Sequence, residues 1–229
     1  MKYTISVVVF LIGISARAEF CFQSFNTYGP AYALNLKKRT KLFSQLLKLH
    51  THCELMVLQE VWRQSHKKRL KKNLRNLDDS IEFYHGDALD DNFKTGLLLS
   101  SQYKILSTNT YYYIQYPNGA LDWVRKQVNV RKAFSSIVVD MNDNHFNSEV
   151  EVINTHLHPT SKVIRLAQII ELSEYLKTSP WRKKPLILAG DFNAQPHSFE
   201  WDVIVYLLGL RDAHIQTNSE YLSVDCTYC

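Results

Sequence analysis

Hydrophobic and polar positions along this chain switch between two periods, and each switch marks the edge of a predicted element. Short apolar runs at residues 22–25, 55–58, 96–99, 105–113, 133–140, 149–155 and 186–190 read as β-strands. Between them, helical spacing predicts four helices. Residues 34–49 carry Leu42, Leu46 and Leu49 on one face with lysines elsewhere. Residues 65–77 set Leu70, Leu74 and Leu77 among lysines and arginines, and Val163, Leu166, Ala167 and Ile170 form a third apolar stripe. Residues 199–208 complete the set. Four strand-like runs follow one another between residues 96 and 155, too many for a simple alternating parallel sheet, so an α/β fold with mixed sheets is expected.

The first residues have another explanation. Lys2, an apolar run at residues 5–14 and then Ala16-Arg17-Ala18 form the pattern of a secretory signal peptide, with cleavage expected after Ala18. That run is short for a membrane span, and no second long apolar stretch follows. Residues 19–229 then make one domain, with no Pro, Gly or Ser linker and no internal repeat dividing them. Cleavage removes Lys2 and Arg17, so the formal charge of +5 falls to +3, too mild to argue for nucleic acid or an anionic membrane as partner. A secreted or periplasmic monomer is expected.

Four cysteines, Cys21, Cys53, Cys226 and Cys229, suit two disulfides in an exported chain, and three pairings are open. Cys21 and Cys53 each precede a strand-like run, which would place them at the same end of neighbouring strands. The Cys226-x-x-Cys229 spacing alone is weak evidence for zinc.

Polar residues stand at the ends of several apolar runs: Asn26, Glu60, His156 and the Asp191/Asn193 pair. Each alone has a bland reading as a turn former or a solvated group. Their recurrence is what suggests a site, because loops at the carboxyl ends of strands collect ligand-binding groups in α/β sheets. A hard cation such as Mg²⁺ takes few carboxylates together with water and substrate oxygens, a part open to Glu60 with help from Asn26. His156, Asn193 and Asn154 are the available donors to a phosphate, and Asp191 suits orientation or deprotonation of a water.

Five segments in this order, Ser24-Phe25-Asn26-Thr27-Tyr28-Gly29, Leu58-Gln59-Glu60-Val61-Trp62, Gly96-Leu97-Leu98-Leu99-Ser100, Asn154-Thr155-His156-Leu157-His158 and Gly190-Asp191-Phe192-Asn193, resemble the motifs of the endonuclease/exonuclease/phosphatase superfamily. Their wording is most similar to neutral sphingomyelinases and related secreted phosphodiesterases. The resemblance implies a four-layer sandwich of two packed mixed sheets with outer helices, DNase I-like, and Mg²⁺-dependent hydrolysis of a phosphodiester by in-line attack of water. Carried over by motif, Glu60 and Asn26 serve the metal, His156, Asp191 and Asn193 are catalytic, and Asn154, His156 and Asn193 bind phosphate. Asp212, in a further similar segment, is taken as structural.

The resemblance breaks off at the C-terminus. Family members carry an Arg-Ile-Asp-Tyr-like strand and a Ser-Asp-His motif, neither of which is present before Cys229, and His197 and His214 stand in the wrong context to replace that histidine. The domain is therefore expected to be C-terminally incomplete, lacking the last strands. A sphingomyelinase-like phospholipid is the expected substrate. The rivals are a DNase I-like endonuclease acting on nucleic acid and an inactive phosphate- or lipid-binding module. Peripheral membrane contact could come from the tyrosines at 111–113 and 116 with Trp123, but a half-buried hairpin is the plainer reading. The basic run at residues 66–72 likewise reads first as a solvated helix face.

Overall fold

The computed structural model describes residues 10–11, 21–29, 34–49, 53–89, 94–114, 130–142 and 148–213. In chain order the elements are β1 (Phe10–Leu11), β2 (Phe22–Asn26), α1 (Leu36–Leu49), β3 (Leu55–Gln59), α2 (Gln64–Arg75), β4 (Glu82–His85), a 3-10 turn (Gly86–Leu89), β5 (Leu98–Ser101), β6 (Ile105–Tyr112), β7 (Ala133–Asp140), β8 (Glu149–His156), α3 (Lys162–Thr178), β9 (Leu186–Asp191) and α4 (Phe199–Leu208). One sheet has the order β2-β3-β5-β4 and the other β1-β9-β8-β7-β6.

Each sheet contains one parallel pair, β2 with β3 and β8 with β9, and the remaining pairings are antiparallel. The parallel pairs are the ones that need a crossover, supplied by α1 and α3. Both crossovers fold their helices onto the outer face of the sheet they connect, so the layers run helix, sheet, sheet, helix.

Three apolar clusters fill the three spaces between these layers. Met56, Leu58 and Leu98 meet Phe43 of α1 and Leu70 and Leu74 of α2. Leu55, Val57 and Leu99 meet Ile137, Val150, Val152, Ile187 and Ala189 between the sheets. Phe134, Ile153, Leu186 and Leu188 meet Ile169 and Leu172 of α3 and Trp201 and Ile204 of α4. A strand such as β3 is therefore buried on both faces, which is why its apolar run is unbroken rather than alternating. Burying each such leucine or isoleucine contributes about 1.5–3 kcal/mol.

The predicted strands and helices all form, with shifted boundaries, and β4 and β1 are added. Two helices are rotated from the predicted stripes. In α1 the buried face runs through Thr40 and Phe43 while Leu42 is exposed, and in α3 it runs through Gln168, Ile169, Leu172 and Ser173 while Val163 and Ile170 face outward. The tyrosine run ends β6 as a half-buried hairpin edge. Tyr111 stacks on Phe134 and the fully buried Tyr113 hydroxyl meets Thr155 Oγ1 at 2.8 Å, while Tyr116 and Trp123 lie outside the described residues.

Cys21 and Cys53 are bonded across the starts of β2 and β3, 32 residues apart in sequence. A closed loop of that size stabilises by about 3–4 kcal/mol through the unfolded chain's lost entropy. Cys226, Cys229 and His214 lie outside the described residues. Phe10 and Leu11, within the segment expected to be cleaved, pair antiparallel with Leu188 and Ile187 on the edge of β9.

The basic face of α2 is not wholly solvated. Lys67 is buried and pairs with Asp87, whose carboxylate also accepts from the Thr95 backbone N–H and hydroxyl. His66 is buried beside Gly29 and Glu60, and burial together with Arg39, Arg69 and Arg63 lowers its pKa to about 4. The fold thus excludes the proton that the unfolded chain takes up near pH 6.5. Stability should be complete above that value and fall as pH drops from 6.5 towards 4, by about 3 kcal/mol for this one group. Urea unfolding at pH 7, 5.5 and 4.5 measures it, and His66→Gln should make the slope shallower without abolishing it, since the pKa of half-buried His85 is also lowered, to about 3.

Candidate active site

Period-two alternation decides which side chains meet. On β2, residues 22, 24 and 26 share a face, on β3 residues 55, 57 and 59, on β8 residues 150, 152, 154 and 156, and on β9 residues 187, 189 and 191. Phe22, Leu55, Val57, Val150, Val152, Ile187 and Ala189 place all four faces in the space between the sheets. Asn26, Gln59, His156 and Asp191 therefore end in that same space at one end of the sandwich, where both parallel pairs finish.

The contacts follow from that convergence. Asn26 Nδ2 donates to Asp191 Oδ2 at 2.7 Å and to Glu60 Oε1 at 3.2 Å. His156 Nε2 stands 3.6 Å from Asp191 Oδ2. The Asn193 backbone N–H donates to Asp191 Oδ1 at 3.0 Å. Glu60 and Asn193 both adopt positive φ, +60° and +48°, a left-handed conformation that costs a glutamate about 1 kcal/mol or more and that clusters at functional sites. Gly190, at φ +145°, lets β9 close on β8, since a Cβ there would stand 2.0 Å from the Thr155 carbonyl oxygen.

The two carboxylates are tuned in opposite directions. Burial raises the pKa of Glu60, with Asp191 adding to it, against the lowering effects of the Asn26 donor, Lys132 and the Trp62 side chain. Burial would also raise Asp191, but His156, the Asn26 amide, Lys132 and the Asn193 N–H together outweigh it and hold that carboxyl below the usual range. Asp191 is thus a firm anion facing an imidazole. Lys132, just before β7, acts on both carboxylates, and nothing in its local sequence distinguishes it from other lysines.

Three of the predicted site residues make hydrogen bonds within the protein. Asn154 is fully buried below the cleft, its Nδ2 donating to the Leu58 and Leu98 carbonyls at 3.0 and 3.3 Å and its Oδ1 accepting from Gln59 Nε2 at 2.8 Å. It ties the sheets together and presents no donor to a phosphate. Asn26 Oδ1 accepts from the Tyr28 N–H at 2.8 Å, which turns Nδ2 towards the carboxylates and makes the residue an orienting donor. The Asn193 side-chain amide donates to the Leu157 carbonyl at 3.0 Å, which engages one of its two N–H groups within the protein. His197 is exposed and takes no part.

The donor set suits a hard divalent cation. Glu60 and Asp191 bring carboxylate oxygens to one amide, Asn26. Among the described residues no group of three or more His, Cys, Asp or Glu forms a cage. Mg²⁺ does not require one, since it keeps waters and takes phosphate oxygens beside one or two carboxylates.

Comparison with known proteins agrees with this architecture. A curated relative, a putative neutral sphingomyelinase of Drosophila melanogaster, is 26% identical over 170 residues, covering 70% of this chain and 36% of that protein. This chain thus spans about a third of that relative's length. Beta toxin from Staphylococcus aureus, an F277A, P278A mutant solved with bound magnesium ions, superposes with a TM-score of 0.67 at 15% identity, over 90% of this chain and 72% of the toxin. Sphingomyelinase C from Streptomyces griseocarneus superposes with a TM-score of 0.66 at 17% identity, over 91% and 72%. Residues 24–200, which hold every element of the cleft just described, match the model of the Endonuclease/Exonuclease/phosphatase family, and the chain belongs to that family.

Proposed function

We propose that this protein is an exported, Mg²⁺-dependent phosphodiesterase acting on a sphingomyelin-like lipid phosphodiester. The observation that carries this reading is the junction of Asn26, Glu60, His156 and Asp191 at one end of the two sheets, in a chain of this family. The phospholipid is preferred to a nucleic acid because the curated relative named for its substrate is a putative neutral sphingomyelinase. The leader at residues 1–18 and the Cys21–Cys53 bridge support export.

When bound, Mg²⁺ would offset phosphoryl charge at Glu60 and polarise the ester. His156, held by Asp191, donates to a phosphoryl oxygen as charge builds there. The lowered pKa of Asp191 keeps it ionised at neutral pH, able to orient an attacking water and to hold the imidazole in one tautomer. Asn26 fixes the spacing of the two carboxylates, so the site is preorganised rather than assembled on binding.

Purified full chain, presented with sphingomyelin vesicles in Mg²⁺ and in EDTA, should release the headgroup phosphomonoester in Mg²⁺ alone. Glu60→Gln should lower that rate by about 10²-fold or more and shift the Mg²⁺ needed for half-maximal rate upward. Equal activity in EDTA, or a Glu60→Gln rate equal to wild type, would refute the site.

A further inference from the structure

The layer of α1 and α2 carries a charge imbalance that the catalytic reading does not use. The two helices pack on each other over the outer face of β3 and β5. They hold five and six Lys or Arg residues respectively and no Asp or Glu, leaving the rest of the chain with 16 cations against 22 acids. Exposed positions recur at helical spacing: Lys37, Lys38 and Lys41 on α1, and Lys68, Lys72 and Arg75 on α2. Those charges sit as a one-signed sheet on one side of a chain whose net charge is only +5.

Apolar side chains are exposed within that sheet. Leu34 is 72% and Leu42 49% exposed beside the lysines of α1, and Tyr28 is 41% exposed on the loop leading to them. A nucleic acid groove needs cations and hydrogen-bond donors, and has no use for leucines in water. A lipid headgroup region takes both: lysines meet anionic headgroups while leucines and a tyrosine enter the acyl boundary.

The layer is also fixed to the cleft. Arg39 of α1 donates from Nη2 to the Thr27 and Tyr28 carbonyls and lies over the Tyr28 ring, 5.2 Å from its centroid. Tyr28 follows Asn26 by two residues, and α2 starts four residues after Glu60. α2 thus starts beside Glu60, and Arg39 ties α1 to the segment that follows Asn26.

We infer that the exposed face of α1 and α2, with Leu34, Leu42 and Tyr28, is a docking surface for an anionic membrane, and that it sets the cleft at the lipid headgroups. This deepens the phospholipid reading and rests on it for the functional use of the surface, while the binding itself is measured without turnover.

The test is co-sedimentation of the full chain, in EDTA, with phosphatidylcholine vesicles containing either no phosphatidylserine or about a third of it. Wild type should partition at least tenfold more strongly onto the anionic vesicles, and 0.5 M NaCl should remove that gain, because the attraction decays within a Debye length. The variant K37E/K38E/K68E/K72E, changed only at exposed positions, should lose the anionic preference and bind the two vesicle types alike. Leu34→Ser with Leu42→Ser should weaken binding to both vesicle types while leaving the salt dependence in place. Hydrolysis of a dispersed short-chain substrate should be unchanged in both variants. Equal partition onto the two vesicle types, or full binding by the lysine variant, would overturn the inference, as would tighter binding of duplex DNA through the same four lysines. A chain that docks on anionic vesicles but cleaves no phosphodiester would sink the proposed activity and leave the surface standing.

Discussion

Asp191→Asn is expected to lower kcat by about a thousandfold or more, about 4 kcal/mol of transition-state stabilisation, while the protein stays folded. The reason is the number of groups that depend on its charge. Oδ2 accepts from Asn26 at 2.7 Å and faces His156 Nε2 at 3.6 Å, while Oδ1 accepts from the Asn193 N–H at 3.0 Å. An asparagine can keep the last contact, but its amide N–H₂ then meets the N–H₂ of Asn26 and no longer presents an anion to the imidazole. Stability should fall too, because a carboxyl held below its usual range stabilises the fold while ionised, and the relief of Glu60 offsets only part of that loss. Single-turnover rates on a dispersed phosphodiester, with thermal unfolding in parallel, measure both quantities. A loss smaller than about tenfold would mean that Asp191 orients nothing in the reaction.

The features legible from residue patterns are those set by local period and by chain ends. β3 and β9 are buried on both faces, so unbroken apolar runs identify them, and α4 ends at Leu208, as its apolar spacing does, capped by Gly209 at φ +61°. The faces of α1 and α3 were not legible, because Phe43 and Ile169 are one position from the leucine and isoleucine that the stripes favoured, and only the sheet beneath decides between them. The strand β4 is not legible in the sequence because Glu82, Phe83, Tyr84 and His85 neither alternate cleanly nor form a run. At the site, strand-end position and motif order together indicated Asn26, Glu60, His156 and Asp191. Lys132 was invisible, since its nearness to both carboxylates comes from the pairing of β7 with β8, not from its neighbours in the chain.

Asn154→Ala should destabilise the protein by about 3–5 kcal/mol, a fall in Tm of roughly 10 °C for a domain of this size, without a selective effect on substrate binding. Motif resemblance assigned this residue to phosphate, two positions before His156. The strand's alternation does turn both side chains to the same space, but Asn154 lies one layer deeper and is fully buried. Its amide there closes the ends of two β-strands, taking the Leu58 and Leu98 carbonyls and the Gln59 amide into one network that Ser24 extends at 3.3 Å from Gln59 Nε2. Alanine removes the Asn154 partner from each of those buried groups. His156→Ala, by contrast, should cut the chemical rate far more than its loss of a buried partner for Asp191 lowers Tm. If Asn154→Ala instead raised KM severalfold with an unaltered Tm, the amide would be reaching the substrate, and the floor of the cleft would lie deeper than Gln59.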